Sequence, residues 1–166
     1  RTSLPDLNDF GMAKVYIGLG SNLGDKKKNI TNATIILGSL MGDLKVLSSI
    51  YETKPWGFES PNTFQNAVAM LETEYAPEVC LDMAKAIERE MGRKYERPGT
   101  YEDRIIDIDI LLYDEIVMKT EKLTIPHPLM HKREFVLKPL AEIAPNLPHP
   151  LLHETMQTLL DKLNQP

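Results

Sequence analysis

The run at residues 104–113 constrains the fold more than any other part of the chain. At its centre, isoleucine alternates strictly with aspartate in the order Ile106-Asp107-Ile108-Asp109-Ile110. A period of two is that of a β-strand, in which successive side chains point to opposite faces of the sheet. The run therefore predicts a strand with one face buried in a core and the other face lined by two carboxylates.

The segments before this strand alternate between strand and helix patterns. Short β-branched and aromatic runs predict strands, and apolar residues at helical spacing after a capping residue or a proline predict helices. The predicted elements are a strand at 14–19, a glycine-rich turn at 18–25, a helix from Asp25 to about Leu40, strands at 46–51 and 64–72, a helix at about 78–91 and the strand at 104–113. This β-α-β-β-α-β order predicts an α+β, ferredoxin-like sandwich, a mainly antiparallel sheet with helices packed on it.

The two ends of the chain carry weaker patterns. Residues 1–12 show no periodicity and lead to a plausible start at Met12, so we expect a leader or cloning remnant followed by a single domain at 13–166. After the central strand we expect a hairpin partner at 115–125, a proline-rich irregular stretch at 126–150 with one short helix near 132–137, and a closing helix at 153–163.

Composition excludes several classes of function. The chain has 166 residues, 42% of them hydrophobic, and a net charge of −5, so one globular domain is expected and nucleic acid is not its main partner. We expect no membrane association, because no apolar stretch approaches the roughly 18 residues that a spanning helix needs. The single cysteine, Cys80, is expected to be a small core residue in a protein of the reducing cytoplasm.

The aspartate pair is the first candidate for chemistry. Residues two apart on a strand point to one face, about 6.6 Å apart at roughly 3.3 Å per residue. Two negative charges so close repel each other, and a cation between them relieves that repulsion. Hard carboxylate oxygens suit Mg²⁺, which takes its other ligands from water and substrate phosphates, so Asp107 and Asp109 predict a site for two magnesium ions. The alternative is an ordinary solvated strand face.

Basic residues surround the pair on both sides in sequence. Because arginine forks grip phosphate oxygens, this arrangement suggests a polyphosphate ligand, although a charge run is more often a solvated surface. The cations are Arg93, Lys94, Arg97 and Arg104 before the pair, and Lys119, Lys122, Lys132 and Arg133 after it.

Two other motifs are weaker. The glycine turn does not fit a dinucleotide or P-loop motif, because Leu23 stands where the third glycine is needed and no Gly-Lys-Ser/Thr follows. Gly18 and Gly20 are instead interpreted as turn and close-packing glycines. The repeated pattern His127…His131 and His149…His153 could imitate a zinc pair but offers no third ligand, and His127 is the best phosphate contact among the four.

Taken in order, these segments resemble the 6-hydroxymethyl-7,8-dihydropterin pyrophosphokinase family from about Ala13 to the C-terminus. The resemblance is carried by several short motifs, and their succession is far more specific than any one of them. They are Val15-Tyr16-Ile17-Gly18-Leu19-Gly20-Ser21-Asn22-Leu23-Gly24, Ser49-Ile50-Tyr51-Glu52-Thr53 with 55–57, Phe64-Gln65-Asn66-Ala67, Glu88, Gly92-Arg93, 103–111, Pro126-His127-Pro128, Arg133, Phe135 and Leu137-Lys138-Pro139-Leu140.

The resemblance implies transfer of pyrophosphate from ATP to the hydroxymethyl group of the pterin, with AMP as the second product. It implies that Asp107 and Asp109 hold two Mg²⁺ ions, and that catalysis is positioning plus charge neutralisation. The implied ATP contacts are Glu88, Arg93, Arg104, Lys122, Thr124, His127 and Arg133, with Arg93 and Arg104 also catalytic. The implied pterin contacts are Thr53, Pro55, Trp56, Gly57, Phe64, Asn66 and Phe135, where the two phenylalanines sandwich the flat ring.

The loop at 92–103 departs from the family pattern. It resembles a mobile lid, and which of Lys94, Tyr95, Arg97 and Tyr101 reaches the substrates stays open, as does the role of Lys85. A monomer is expected. Two other classes remain in competition: a ferredoxin-like binding module without catalysis, and another two-metal phosphoryl transferase that would not gather Phe64, Asn66 and Phe135 into one pocket.

Overall fold

The computed structural model of the protein describes residues 11–92 and 103–166. Within them the elements are β1 (Ala13–Ser21), α1 (Lys26–Leu40), β2 (Gly42–Leu47), β3 (Tyr51–Thr53), β4 (Phe64–Thr73), α2 (Pro77–Glu90), β5 (Asp107–Tyr113), β6 (Met118–Lys119), β7 (Thr124–Ile125), a 3₁₀ turn (Met130–Lys132), α3 (Glu134–Ile143) and α4 (Met156–Leu163). No helix in these two stretches is long and apolar enough to cross a membrane.

The main sheet is antiparallel and has the strand order β2-β4-β1-β5, with β4 and β1 as its two inner strands. The short strand β3 pairs with residues 64–66 of β4, on the same edge of β4 that β2 occupies farther along. The strands before and after each of the first two helices thus interleave in one sheet, which is the split βαβ arrangement. The predicted ferredoxin-like sandwich is confirmed.

Helices α1 and α2 cover one face of this sheet. Their apolar sides pack with Ile17, Leu71 and Ile108 into the larger hydrophobic core, which also contains the fully buried Cys80. As predicted, Asp25 caps α1, since its Oδ1 accepts from the backbone N of Lys28 at 3.2 Å. Leu40 was expected on the buried side of α1 but is 44% exposed, whereas Leu37 and Met41 on either side of it are buried.

The opposite face is covered by α3 and α4, and here the sequence prediction was wrong. The stretch expected to be mostly irregular contains the ten-residue helix α3, and Pro139 lies inside it and is buried. A proline within a helix costs about 3 kcal/mol, because it lacks an N–H and crowds the preceding turn. Burial of Val136, Leu137 and Leu140 in a second core offsets that cost. The closing helix α4 is also shorter than predicted.

Strand β5 lies at the end of the sheet order. The expected partner at 115–125 does not extend the sheet, because β6 and β7 pair only with each other, as a separate two-stranded ribbon. β5 begins at Asp107, three residues later than predicted. Its buried isoleucines face the α1 and α2 side, as the alternation predicted. A bulge opposite Tyr16 and Ile17 then lets both Leu111 and Leu112 face the α3 side.

Two other strand boundaries differ from the prediction. β1 continues through Gly18 and Gly20 to Ser21, so these glycines are strand residues rather than a turn. The single strand expected at 46–51 is two strands, β2 and β3, separated by Ser48, Ser49 and Ile50. Sequence alternation alone could not place this break, because exposed edge strands carry little periodic burial.

Candidate active site

An open cleft lies on the α3 face of the sheet. Its walls are formed by β1, β4 and β5, by the loop between β3 and β4, and by the start of α3. The structure brings together at this cleft the predicted site residues Thr53, Trp56, Phe64, Asn66, Arg104, Asp107, Asp109, Arg133 and Phe135.

The register between β1 and β5 explains how both aspartates line the cleft. Gly20 is directly opposite Asp107, and Gly18 is directly opposite Asp109. Residues directly opposite in neighbouring strands share a face of the sheet. Both glycines line the cleft beside the carboxylates, and neither adds a side chain to it.

On the β4 side of β1, Gly20 lies beside the amide of Asn66. Gly20 is opposite Asn66 in the pairing of β1 with β4, and a Cβ at Gly20 would lie 2.9 Å from Oδ1 of Asn66. Asn66 is buried, and its Nδ2 donates to Oγ1 of Thr53 at 2.6 Å. One cross-strand row therefore joins an oriented side-chain amide to the aspartate pair.

The end of the cleft that contains Asp107 and Asp109, the aspartate end, carries the negative charge that binds a metal ion. It also carries the positive charge of Arg104, which suits a phosphate. Nη1 of Arg104 lies 3.4 Å from Oδ1 of Asp107. Among the described residues there is no cluster of three or more His, Cys, Asp or Glu side chains that could enclose a metal ion. Two carboxylates with an open side instead fit Mg²⁺, which completes its shell with water and substrate phosphates.

Glu88 supports the aspartate pair from the α2 side. Its carboxylate is 3% exposed, and Oε2 accepts from the backbone N of Ile108 at 2.7 Å. Ile108 lies between Asp107 and Asp109, so this bond fixes the backbone that carries both carboxylates. One contact of this predicted ATP ligand is thus with the protein backbone.

His127 lies close enough to Asp107 and Arg133 for both charges to act on it. Burial, and then the positive charge of Arg133, lower the pKa of His127 to about 4, against a smaller opposing effect of Asp107. Its Nδ1 accepts from the backbone N of Leu129 at 3.2 Å. The ring is therefore neutral near pH 7 and carries its hydrogen on Nε2, which makes it a donor without a charge.

Aromatic rings and one arginine form the other end of the cleft. The guanidinium carbon of Arg133 lies 4.5 Å from the ring centre of Trp56 and 5.5 Å from that of Phe135. Phe64 makes an edge-to-face contact with Phe58, with ring centres 6.1 Å apart. Arg133 is buried, so the predicted phosphate ligand is stacked among the residues predicted for the pterin.

Other predicted residues do not line this cleft. Pro55 and Gly57 belong to the β3–β4 loop, where Gly57 has a φ of +87°. Lys122 is exposed between β6 and β7, Thr124 lies in β7, and Lys85 is exposed on α2. The remaining predictions lie outside the described residues, and they concern Arg93, Lys94, Tyr95, Arg97 and Tyr101.

Sequence reasoning missed Asp103 as a contact residue. Its Oδ1 accepts from Nδ2 of Asn22 at 2.6 Å, and its Oδ2 accepts from Nδ2 of Asn62 at 2.9 Å. No local sequence motif predicts this arrangement, because Asn22 and Asn62 are 81 and 41 positions away from Asp103 in sequence.

Sequence reasoning also missed Glu142 on α3. Its Oε1 accepts from the Tyr51 hydroxyl at 2.7 Å, and its Oε2 accepts from the Ser49 hydroxyl at 2.9 Å. Both partners belong to the segment that leads into the cleft at Thr53. Burial alone would raise the pKa of Glu142, but the hydrogen bonds from Tyr51 and Ser49 outweigh it and hold this pKa below its ordinary value.

Comparison with known proteins identifies the family. The family model described as 7,8-dihydro-6-hydroxymethylpterin-pyrophosphokinase matches residues 16–145. The 2-amino-4-hydroxy-6-hydroxymethyldihydropteridine pyrophosphokinase of Porphyromonas gingivalis is 48% identical over 141 residues, which cover 84% of this chain and 95% of the relative. The protein of the same name from Aquifex aeolicus is 42% identical over 146 residues, covering 88% and 89%.

The chain belongs to the 7,8-dihydro-6-hydroxymethylpterin-pyrophosphokinase family. The solved wild-type HPPK-DHPS of Plasmodium falciparum has the same fold, with a TM-score of 0.74 at 18% identity. The match covers 92% of this chain but 45% of that one, so this chain spans less than half of the solved protein. The likeness to a pyrophosphokinase structure agrees with the ferredoxin-like sheet described above.

Proposed function

We propose that the cleft on the α3 face is where this pyrophosphokinase brings its two substrates together. The pterin lies at the end formed by Phe64, Asn66 and Phe135, and the ATP phosphates lie at the end formed by Asp107 and Asp109. One observation carries this proposal: Asn66, Gly20 and Asp107 stand in a single cross-strand row. The row puts a ring-recognising amide and a metal-binding carboxylate on one open surface.

The family's reaction transfers pyrophosphate from ATP to the hydroxymethyl group of 6-hydroxymethyl-7,8-dihydropterin, a step of folate biosynthesis. The hydroxymethyl oxygen forms a bond to the β-phosphorus, and the bond between that phosphorus and the oxygen bridging to the α-phosphate breaks. The hydroxyl proton is released and AMP leaves. No protein nucleophile takes part, so the chain acts by holding the two substrates in line and by neutralising charge.

Asp107 and Asp109 would hold the magnesium that a pyrophosphokinase of this kind requires, and we propose two ions. Magnesium, when bound, neutralises the charge that develops on the transferring phosphates. Arg104 beside Asp107 supports the same neutralisation with a fixed positive charge. Glu88 acts through the backbone of Ile108 and keeps both carboxylates on the cleft face.

At the pterin end, the flat ring stacks between Phe64 and Phe135, and the amide of Asn66 donates to and accepts from its polar edge. The bond from Asn66 to Thr53 fixes the direction in which that amide faces. Trp56 and Arg133 close the same end of the cleft. The neutral His127 offers a hydrogen-bond donor to phosphate oxygens between the two ends.

Several other expectations complete the proposal. Arg93, Lys122 and Thr124 are further ATP contacts, and Pro55 and Gly57 line the pterin through their backbone. We expect a monomeric, cytoplasmic enzyme whose single domain spans 13–166. These expectations rest on the sequence alone.

A coupled assay for AMP tests the proposal, with Mg²⁺, ATP and the pterin alcohol as substrates. Asp107→Ala and Asp109→Ala should each abolish AMP formation while leaving the melting temperature close to that of the unchanged protein. The matched control Asp161→Asn removes an exposed carboxylate on α4, outside the cleft, and should retain full turnover. Undiminished turnover in either cleft variant would overturn the assigned metal role.

A further inference from the structure

Lys26, the first residue of α1, binds the chain where it enters β4. Its Nζ donates to the carbonyl oxygen of Thr63 at 2.7 Å and to Oγ1 of Thr63 at 3.3 Å. Thr63 immediately precedes Phe64, whose side chain lines the cleft. The ammonium group is therefore bonded to the backbone next to a residue of the proposed pterin end.

This bond holds the chain at the point where the strand pairing stops. The pairing of β3 with β4 ends with Thr53 opposite Phe64. Thr63 thus lies one position beyond the last pair, and the ends of paired strands are the places where local opening costs least. Lys26 gives the carbonyl of Thr63 a partner from a helix outside the sheet.

A carboxylate extends the contact on the face of the sheet opposite the cleft. The hydroxyl of Thr63 donates to Oε1 of Glu52 at 2.9 Å. Successive side chains of a strand point to opposite faces, so Gln65 faces away from the cleft that Phe64 lines. Nε2 of Gln65 donates to Oε2 of Glu52, its cross-strand partner, at 3.4 Å. Both sequence neighbours of Phe64 are therefore tied to one carboxylate.

The ring of Phe64 depends on this backbone for its orientation. Phe64 is only partly buried, and it contacts Phe58 edge to face with ring centres 6.1 Å apart. Close packing on all sides fixes a core side chain, and a partly exposed ring lacks part of that constraint. The position of its own backbone therefore decides where the flat face of Phe64 lies.

The position of Lys26 in the helix is unfavourable for α1 itself. The helix begins with three lysines at 26–28 and has no acidic residue in its first turn. Because a helix N-terminus carries a partial positive charge, cations there destabilise the helix. Removal of the Lys26 charge relieves this repulsion and offsets the loss of the bonds to Thr63. We therefore expect Lys26→Met to keep a nearly unchanged melting temperature.

We propose that Lys26 is a positioning residue for the pterin, which acts by fixing the backbone of Thr63 and thereby the orientation of the Phe64 ring. The inference rests on the proposed stacking of the pterin on Phe64. Lys26 binds the protein chain rather than the substrate. Its contacts involve neither Asp107 nor Asp109, so its effect on pterin affinity is the same with and without nucleotide.

Steady-state kinetics in the AMP assay test this role. The matched control is Lys28→Met, which removes an exposed lysine from the same helical turn. The loss of one modest hydrogen bond should raise the pterin KM of Lys26→Met roughly 3- to 10-fold. The ATP KM and kcat should stay constant, Lys28→Met should behave normally, and Lys26→Arg, which keeps a charged donor, should recover most of the affinity. A normal pterin KM in Lys26→Met, or an equal rise in Lys28→Met, would overturn the proposal.

A second variant keeps the proposal open to refutation if Lys26→Met fails to fold. Thr63→Val preserves the shape of the side chain and removes the hydroxyl that links Lys26 to Glu52. It should raise the pterin KM in the same direction by a smaller factor. A normal pterin KM in Thr63→Val would overturn the positioning role.

A binding cycle with Phe64 separates this inference from the proposed function. Phe64→Leu keeps an apolar side chain but removes the flat ring, so calorimetry should show weaker pterin binding. In that background Lys26→Met should cause no further loss, because no ring is left to position. A full additional loss in the double variant overturns the positioning role alone. Normal pterin binding by Phe64→Leu overturns the proposed placement of the pterin, and the positioning role with it.

Discussion

Gly20 faces Asn66 so closely that any side chain at position 20 would collide with the Asn66 amide. The two residues are directly opposite in the β1–β4 pairing, and a Cβ on Gly20 would lie 2.9 Å from Oδ1 of Asn66. Gly20 is also opposite Asp107. The absence of one side chain therefore keeps the amide and the carboxylate on a common open surface, and the two proposed substrate ends become neighbours.

The first prediction concerns Gly20→Ala. Overpacking of this kind costs about 1–3 kcal/mol, and turning the Asn66 amide away relieves it at the expense of the pterin contact. Pterin binding should weaken roughly 5- to 150-fold, while the Kd of the Mg–ATP analogue should change little. Trp56, the only tryptophan in the chain, lines the cleft, so its fluorescence can report the pterin titration.

Gly38→Ala is the control for this substitution. Gly38 lies within α1, and a Cβ there would meet only the Cβ of Leu44, at an ordinary 3.8 Å. Alanine is favoured over glycine in a helix by about 0.5–1 kcal/mol, so this variant should be slightly more stable and should bind the pterin normally. Normal pterin affinity in Gly20→Ala would contradict the steric argument.

The second prediction concerns Glu88, whose carboxylate accepts from the N–H of Ile108. Glu88→Ala leaves that buried N–H without this acceptor, a change that costs about 1–3 kcal/mol of unfolding free energy. Glu88→Gln retains a side-chain oxygen and should lose less. Urea unfolding measures both variants, and AMP formation should fall in the same order. Equal stability of the alanine and glutamine variants would contradict a stabilising contact between Glu88 and the backbone of Ile108.

The sequence predicted the first two thirds of the fold more accurately than the last. Alternation at 104–113 and helical spacing in α1 and α2 reflect burial on one face, and burial of that kind is readable from residue order. Helix α3 was largely missed, because Pro139 signals a break unless the surrounding burial of Leu137 and Leu140 is known. Tertiary packing, rather than a local sequence pattern, determines that this segment is helical.

The residues of the candidate site also fall into those that the sequence predicted and those that it did not. Asp107 and Asp109 follow from a local pattern, and the family resemblance singled out Phe64, Asn66 and Phe135. The contacts of Asp103 and Glu142 join segments 41–93 positions apart and leave no local pattern. The stacking of Arg133 on Trp56 also arises only from the way the β3–β4 loop folds over α3.

The third prediction concerns the pH dependence of His127. In the folded protein its pKa is lowered to about 4, against about 6.5 for an unperturbed histidine. The folded state therefore favours the neutral ring. The stabilisation is fully present above about pH 6.5, and it is lost as the pH falls toward 4.

An NMR titration of the imidazole protons in the metal-free protein measures this directly. The resonance that disappears in His127→Gln should show a midpoint near 4. The same variant should show a weaker loss of unfolding free energy between about pH 6.5 and 4 than the unchanged protein. A midpoint near the ordinary histidine value would mean that burial does not keep His127 neutral.

The fourth prediction concerns Glu142, which ties the segment before the cleft to α3. Its carboxylate accepts from the hydroxyls of Tyr51 and Ser49, and Tyr51 is opposite Asn66 in the β3–β4 pairing. Because Glu142 is partly accessible to water, each bond should contribute only about 1 kcal/mol. In a double-mutant cycle of Glu142→Ala and Tyr51→Phe, the two losses of unfolding free energy should be less than additive, since both variants remove the same bond. Glu154→Ala, which loses an exposed contact to Lys162 instead, should be additive with Tyr51→Phe.

The pterin KM should rise in Glu142→Ala while the ATP KM stays constant, because β3 supports Asn66 and Thr53 but not the aspartate pair. Strict additivity in the cycle, together with an unchanged pterin KM, would show that β3 holds its position without this carboxylate.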